Sequence, residues 1–512
     1  MSDTRWQPPG GGEGLRFLGR ASIAVVLVVV LAATATATTA LLTIEDYVAA
    51  PASAGPSIRT LEPIPEAPPG GAQTILVLGS DRRWADLKAN NPALRQSNPS
   101  RSDTMLLVRM NPDRGVTSVL SMPRDLRVQI PGHGTDKLNA SYSIGGPDLT
   151  RRTIEELLPG VTIHHIVNVN FRGFRQAVSA IGCVYADVDR RYYHSNVGLP
   201  VSAHYAEIDV EPGYQRLCGQ RALDYVRFRH ADSDLVRAAR QQDFLRSAKD
   251  QVGTSQLVGN LDELIRIMRR NTQTDKRLGT VKGALRLGKL ALYSSDKPVV
   301  QVEFPATLTG DFVEASPDAL ARTARRFMDA TPPKKQTKAT KKRTRSETKK
   351  IKAARLVDGS AAGRQASRQA VEDGEVGEVG FPLYYPAKIT PQGQYAAPDT
   401  DRRVRPRTYT IRDRADRPHK AYRLVIRQSE IDGQYYGIQG TTWTTPPVLA
   451  HPDATTRLRG RTLKLYRSGG RLRFVSWRRG RAVYWVSNTL SLRLTNGQML
   501  GIAASLTRMR NR

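Results

Sequence analysis

The chain has 512 residues, 39% of them hydrophobic, with 41 Gly and 31 Pro, a mix that suits two or three folded units joined by irregular segments. Two cysteines exclude a disulfide-dense scaffold and any multi-cysteine zinc or iron–sulfur site. The net charge of +31 points first to a polyanion. Residues 1–333 are nearly balanced, however, whereas 334–355 carry eleven basic residues against one acidic and 381–512 carry twenty-five against seven. The basic character therefore belongs to a linker and a C-terminal unit, and the rest must be read from its motifs.

Residues 1–20 read as a short cytoplasmic segment. From Ala21 to Ile44 no residue is charged, Arg16 and Arg20 precede the run, and Glu45 and Asp46 follow it. Such a stretch can cross a hydrocarbon core of about 30 Å with its basic flank in the cytoplasm. A cleaved signal peptide is the rival, because Ala35 and Ala37 form an A-x-A-like site. Either way the chain beyond residue 45 lies outside the cytoplasm, which argues against nucleic acid and makes a Cys183–Cys218 disulfide chemically allowed and expected over two free thiols.

Residues 45–73 form a Pro/Ala/Gly-rich spacer. The run from Thr74 to Asp81 reads as a buried strand with its functional end at Asp81, and Met105–Met110, Val116–Met122 and Ile166–Asn170 read as further strands. Asn111-Pro-Asp-Arg-Gly115 has the residues of a hairpin turn, and helical patterns cover Leu149–Leu158, Phe171–Ile181 and Leu235–Val252. Strands alternating with helices predict an α/β unit over 74–330, a mixed central sheet flanked by helices. Residues 331–380 read as a linker, basic and then acidic, and 381–512 as a smaller β-rich domain with strands near 422–426, 462–466, 472–477 and 482–486 and a helix near 496–506.

No phosphate-binding P-loop, dinucleotide fingerprint, nucleophile elbow or zinc-protease motif is present. The adjacent His164 and His165 have poor spacing for one helical face and read as structural or exposed. What clusters at element ends is Arg with Asp: Gly79-Ser-Asp-Arg-Arg83, Arg101-Ser-Asp-Thr104, Met122-Pro-Arg-Asp125, Lys137-Leu-Asn139, Arg227-Phe-Arg-His230, and Asp232 to Gln242. Each alone is weak, since an Asp–Arg pair is more often a surface ion pair. Arg237, Arg240 and Gln241 share a helical face. Paired carboxylates with several guanidiniums suit a divalent cation holding phosphates.

The six motifs, in this order from Ile75 to Gln242, resemble the LytR–CpsA–Psr family of cell-envelope phosphotransferases. The resemblance implies transfer of a glycopolymer from a polyprenyl-pyrophosphate carrier onto a peptidoglycan hydroxyl as a phosphodiester. It also implies an apolar pocket for the lipid and a membrane anchor. By the same resemblance Asp81 and Asp103 match the carboxylates that hold Mg²⁺ (or Mn²⁺), and Arg101, Arg124, Lys137, Arg227, Arg229 and Gln241 match pyrophosphate contacts. Asn139, Asp234, Arg237 and Arg240 match supporting positions, Arg124 and Asp103 or Asp125 are the expected catalytic groups, and residues 84–100 form an insert between the two metal carboxylates. The alternatives are a noncatalytic envelope-polymer binding protein and, against the topology, a DNA-binding regulator. The basic C-terminal region is expected to bind anionic envelope material and to be separable from the phosphoryl step.

Overall fold

The computed structural model describes residues 57–80 apart from 69, 102–200, 204, 206–228, 234–251 and 260–280, isolated positions from 283 to 294, 297–332 apart from 303, 305, 306 and 311, and then 354–395, 405–429, 433–468 and 470–509. The apolar segment 21–44 lies outside these residues, and among those described no helix is long and apolar enough to cross a membrane.

The strands of the first domain are β1 (Ser57–Ile58), β2 (Gln73–Ser80), β3 (Ser102–Asn111), β4 (Val116–Met122), the hairpin β5 (Arg127–Ile130) and β6 (Gly134–Lys137), β7 (His165–Asn170), β8 (Val184–Val188), β9 (Tyr192–His194), β10 (Ile208–Val210), β11 (Gly213–Leu217), β12 (Thr272–Asp275), β13 (Val299–Val302), β14 (Thr307–Thr309) and β15 (Phe312–Glu314). The helices are α1 (Leu138–Leu157), α2 (Phe171–Ala180), α3 (Gly219–Arg227), α4 (Asp234–Gln251), α5 (Leu261–Asn271) and α6 (Pro317–Met328). Seven strands form a mixed sheet in the order β1-β12-β7-β2-β3-β4-β13, with β2 parallel to β7 and antiparallel to β3.

Both faces of this sheet are covered, which is why its strands read as continuous apolar runs. Leu76 and Leu78 of β2, Leu107 of β3 and Leu120 of β4 join Leu138, Tyr142 and Ile154 of α1 and Phe327 of α6 on one face. Ile75 and Val77 of β2, Val108 of β3 and Val167 of β7 pack on the other with Leu278 and Leu287, with Leu245 of α4 against them. A one-residue slip of any central strand would exchange its two side-chain sets, so the register is tightly specified. Helix α1 is broken at Gly146, with φ 67°, just before Pro147. Beside the sheet β8 pairs with β11, and the two are clasped by the Cys183–Cys218 disulfide next to the Val184–Leu217 pair.

The C-terminal domain starts earlier than the sequence indicates. Residues 354–380, expected as the end of the linker, include helix α7 (Ser360–Glu372), whose Ala366 and Ala370 are buried in the domain core. The helix packs through small residues: a Cβ on Gly363 would lie 2.5 Å from the Tyr385 ring. An antiparallel sheet runs in the order Gln394–Tyr395, Pro418–Ser429, Gln434–Thr441, Ala482–Ser487, Arg471–Arg479, Arg461–Ser468, Ala454–Leu458, with Arg407–Arg412 also paired to Pro418–Ser429. One face packs under α7 and α8 (Asn496–Ala504), the latter started by a Thr495–Gln498 capping box.

The other face is covered by the first domain. Tyr185 of β8 and Tyr214 of β11 enter a cluster with Tyr409, Trp443, Tyr466, Phe474 and Trp485. The Tyr409 hydroxyl donates to the Gln439 side-chain oxygen at 2.9 Å, and Tyr185 donates to the Arg412 carbonyl at 2.8 Å. Arg423 pairs with Asp187 at 3.1 Å with both side chains buried. The expectation of a separable C-terminal region meets a physical obstacle here, since its removal would leave these aromatic rings and the Asp187 carboxylate uncovered.

Candidate functional site

The ends of β2, β4 and β7 and the beginning of β3 lie at one edge of the central sheet: Ser80 is in register with Asn170 and with Ser102. Loops at this edge of an open α/β sheet are the usual place for a ligand. Immediately after β4 come Arg124 and Asp125. The Arg124 Nε lies 3.3 Å from Asp125 Oδ2, and Lys137 Nζ lies 3.6 Å from Oδ1. Backbone bonds hold the group: Asn139 N–H donates to the Arg124 carbonyl at 3.0 Å, and Val313 N–H donates to the Asp125 carbonyl at 2.9 Å. Arg127 and Lys137 each stand 5.4 Å from the centre of the Phe312 ring, so the β14–β15 hairpin supplies an aromatic support for two cations. The structure thus brings Arg124, Asp125, Lys137 and Asn139 together.

A second group gathers around the start of β3. The register passes from Gly79–Thr104 to Ser80–Ser102, so Asp103 is the extra residue of a β-bulge, next to the strand end that leads to Asp81. The buried Gln241 amide of α4 donates to Thr104 Oγ1 at 3.0 Å and to the Val226 carbonyl at 3.2 Å. Arg227, at the end of α3, stands 5.5 Å from the Phe171 ring centre, immediately after β7, and 3.9 Å from Asp224. Arg240 is fully buried. Its guanidinium donates to the Phe228 carbonyl and lies 4.5 Å from the Tyr192 ring centre. Arg237, one turn before Gln241, is also buried.

Asp81, Arg101 and Arg229 lie outside the described residues, as do the side chains of Asp103 and Asp234. Among the described residues no three His, Cys, Asp or Glu side chains converge as a metal site. The Ser80 hydroxyl is buried and has no hydrogen-bond partner among them. An orphaned oxygen at the end of β2, beside positions 81 and 103, is an all-oxygen setting compatible with Mg²⁺.

Phe171, Phe312 and Tyr192 join these groups without having been singled out in the sequence, and Thr104 was quoted there only as the end of a motif. Thr104 was within reach, since it adjoins Asp103, but nothing local marks Phe312 as the neighbour of Lys137. His164 and His165 are both buried. His164 Nδ1 accepts from Thr74 N–H at 3.0 Å, and His165 pairs with Asp275 at 3.2 Å. Burial, then the neighbouring His165 charge, lowers the His164 pKa to about 4. A cleft of about 770 Å³ lies at the opposite ends of β2 and β7, away from Arg124, with a mixed lining that includes Glu66, Pro68, Pro112, His165, Arg277 and Leu290.

Comparison with known proteins adds three findings. A model of the LytR_cpsA_psr family matches residues 53–332. The polyisoprenyl-teichoic acid–peptidoglycan teichoic acid transferase TagU of Oceanobacillus iheyensis is 34% identical over 212 residues, 40% of this chain and 59% of the relative. TagT of Bacillus subtilis, with the same descriptive name, is 31% identical over 221 residues, 43% of this chain and 65% of the relative. The chain therefore spans less than two thirds of the length of either. A solved structure, TagT bound to LIIa-WTA, covers 53% of this chain and 96% of that chain at 26% identity with a TM-score of 0.38.

Proposed function

Because the chain belongs to the LytR_cpsA_psr family, we propose that it transfers a glycopolymer from a polyprenyl-pyrophosphate carrier to a peptidoglycan hydroxyl, from the outer side of a membrane that residues 21–44 span. The observation that carries this reading is the cluster of Arg124, Asp125 and Lys137 at the sheet edge, with Arg227 and Gln241 reaching the same edge from α3 and α4. The TagU and TagT names specify a polyisoprenyl-linked donor and a peptidoglycan acceptor for those relatives.

In the reaction the acceptor oxygen attacks the glycan-bearing phosphorus. The bond from that phosphorus to the bridging pyrophosphate oxygen breaks, and polyprenyl phosphate leaves with the electron pair. Negative charge grows on transferred and leaving oxygens, so positioning and electrostatic stabilisation are the main contributions of the protein. Arg124, Arg227, Arg101 and Arg229 hold the diphosphate through paired N–H donors, a geometry that Lys does not reproduce. Lys137 adds a point charge, and Gln241 orients the Thr104 end of β3. Asp125, whose Oδ1 lies 3.6 Å from Lys137 Nζ, takes the hydroxyl proton in this reading. Asp81 and Asp103 would hold Mg²⁺, which when bound neutralises phosphate oxygens.

The test is transfer from a soluble lipid-pyrophosphate donor, measured with Mg²⁺ and with chelator. Arg124→Ala is expected to cut turnover roughly 10²–10³-fold, with a smaller loss of lipid binding. Near-normal metal-dependent transfer by folded Arg124→Ala and Asp81→Ala proteins would refute the assignment.

A further inference from the structure

Helix α4 lies between the two domains. One side presents Arg237, Arg240 and Gln241 to the first domain, where Gln241 and Arg240 hold Thr104 and the Val226 and Phe228 carbonyls. Those carbonyls flank Arg227. The adjacent side of the helix faces the C-terminal sheet, and Arg473 grips it there. Arg473 lies 3.0 Å from Asp243, 3.1 Å from Ser247 Oγ and 3.9 Å from Asp250, residues spaced over two helical turns. Its side chain is only 9% exposed, and Arg246 shares the Asp243 carboxylate at 3.5 Å. At the C-terminal end of the helix, the Gln251 amide bonds the Tyr185 carbonyl at 2.6 Å, and the Arg414 guanidinium reaches the Gln251 carbonyl.

We propose that Arg473 is a positioning residue for the pyrophosphate cradle, so that the C-terminal domain is a structural component of the transferase site. The inference rests on the function proposed above. Its physical content is a rigid relay: Arg473 sets the height and rotation of α4, and α4 in turn sets the Thr104 end of β3 and the segment carrying Arg227. A helix anchored on one side and carrying cradle residues on the adjacent side is sensitive to small shifts, because reacting groups displaced by about 1 Å lose up to about 10²-fold in rate. Two features favour a specific clamp over general adhesion between domains. The contact sets one buried guanidinium against three residues of a single helix, Asp243, Ser247 and Asp250. It also falls within about three turns of Arg240 and Gln241, on the same helix.

The test compares Arg473→Met, which keeps bulk and removes the hydrogen bonds, with Arg473→Lys, which keeps the charge, and with Arg412→Ala as an exposed control in the same domain. Hydrogen exchange over residues 234–251 and steady-state kinetics per folded molecule are measured on the full chain. We expect Arg473→Met to lose exchange protection across α4 and to lower kcat about 10–100-fold, with KM for the donor changed less than about threefold. Arg473→Lys should recover part of both, and the control should match wild type. A merely destabilised protein would instead lose active fraction with kcat per folded molecule intact, and that result overturns the proposal. Should Arg473→Met not fold, Ser247→Ala and Arg473→Lys carry the same comparison with smaller effects. If the wild type itself transfers nothing, the functional reading fails while the exchange data still decide whether Arg473 clamps α4.

Discussion

Two of the arginine–aspartate pairs in this molecule lie in opposite surroundings. At the sheet edge the side chains of Arg124, Asp125 and Lys137 keep 13%, 22% and 31% of their surface exposed. At the seam between the domains Arg423 and Asp187 keep 0% and 3%. The edge cluster has water at hand and can exchange an internal partner for a charged group from outside. The seam pair has given up its hydration, and burial pushes the Asp187 carboxyl up while the Arg423 charge opposes that shift. Residue type is the same in both, so burial is what separates a site that can bind from a contact that can only hold.

The comparison can be broken most readily at the seam. Arg423→Met should cost about 3–5 kcal/mol in denaturant unfolding, because it strands a buried carboxylate. Arg423→Met with Asp187→Leu should recover most of the loss, and a single variant within about 1 kcal/mol of wild type would mean that water reaches the pair. The disulfide supplies a covalent yardstick in the same region. Replacing both Cys183 and Cys218 by Ser should cost about 3–4 kcal/mol by the loop-entropy argument, read from the same curves.

At the edge the expectation reverses. Lys137→Ala should change stability by less than about 1 kcal/mol, as half-exposed ion pairs do, yet weaken donor binding measurably in a titration at low salt. A large fall in melting temperature would place Lys137 with the architecture instead of the site. The smallest effect is one of pH. His164 has a folded pKa of about 4 against an ordinary 6.5, so between those values the unfolded chain binds a proton that the native state refuses. Stability should be full above about pH 6.5 and decline toward pH 4, and His164→Gln, which can still accept from Thr74 N–H, should flatten that decline. Parallel curves for the two proteins would show that His164 does not titrate on unfolding.

Much of the first domain could be read directly. Val116–Met122 is a strand with those same limits, and the run from Thr74 onward is a central strand because both of its faces are apolar. The placement of Arg124 and Asp125 after a strand end followed from that reading. Two features were hidden for physical reasons. Helix α7 buries itself through Gly363, Ala366 and Ala370, and small residues beside charged ones have the composition of a linker. The seam joins Asp187 to Arg423 and Tyr214 to Trp443 across more than two hundred residues. Period-two alternation in β8 and β11 tells which residues share a face, and it is silent about which distant sheet will cover them. Phe312 beneath Lys137 was invisible on the same grounds.

The order in which the chain is made gives the shared aromatic cluster a temporal meaning. Synthesis runs from the N-terminus, and domains generally fold as they emerge. Residues 57–332 are complete while Tyr185, Tyr214 and Asp187 still lack their cover, and Phe474 and Trp485, which close over them, are made well after that domain. Until then the nascent protein displays an uncovered aromatic face. A chain cut off after the first domain would keep this face bare, so the strands that carry Phe474 and Trp485 decide whether the first domain is finished.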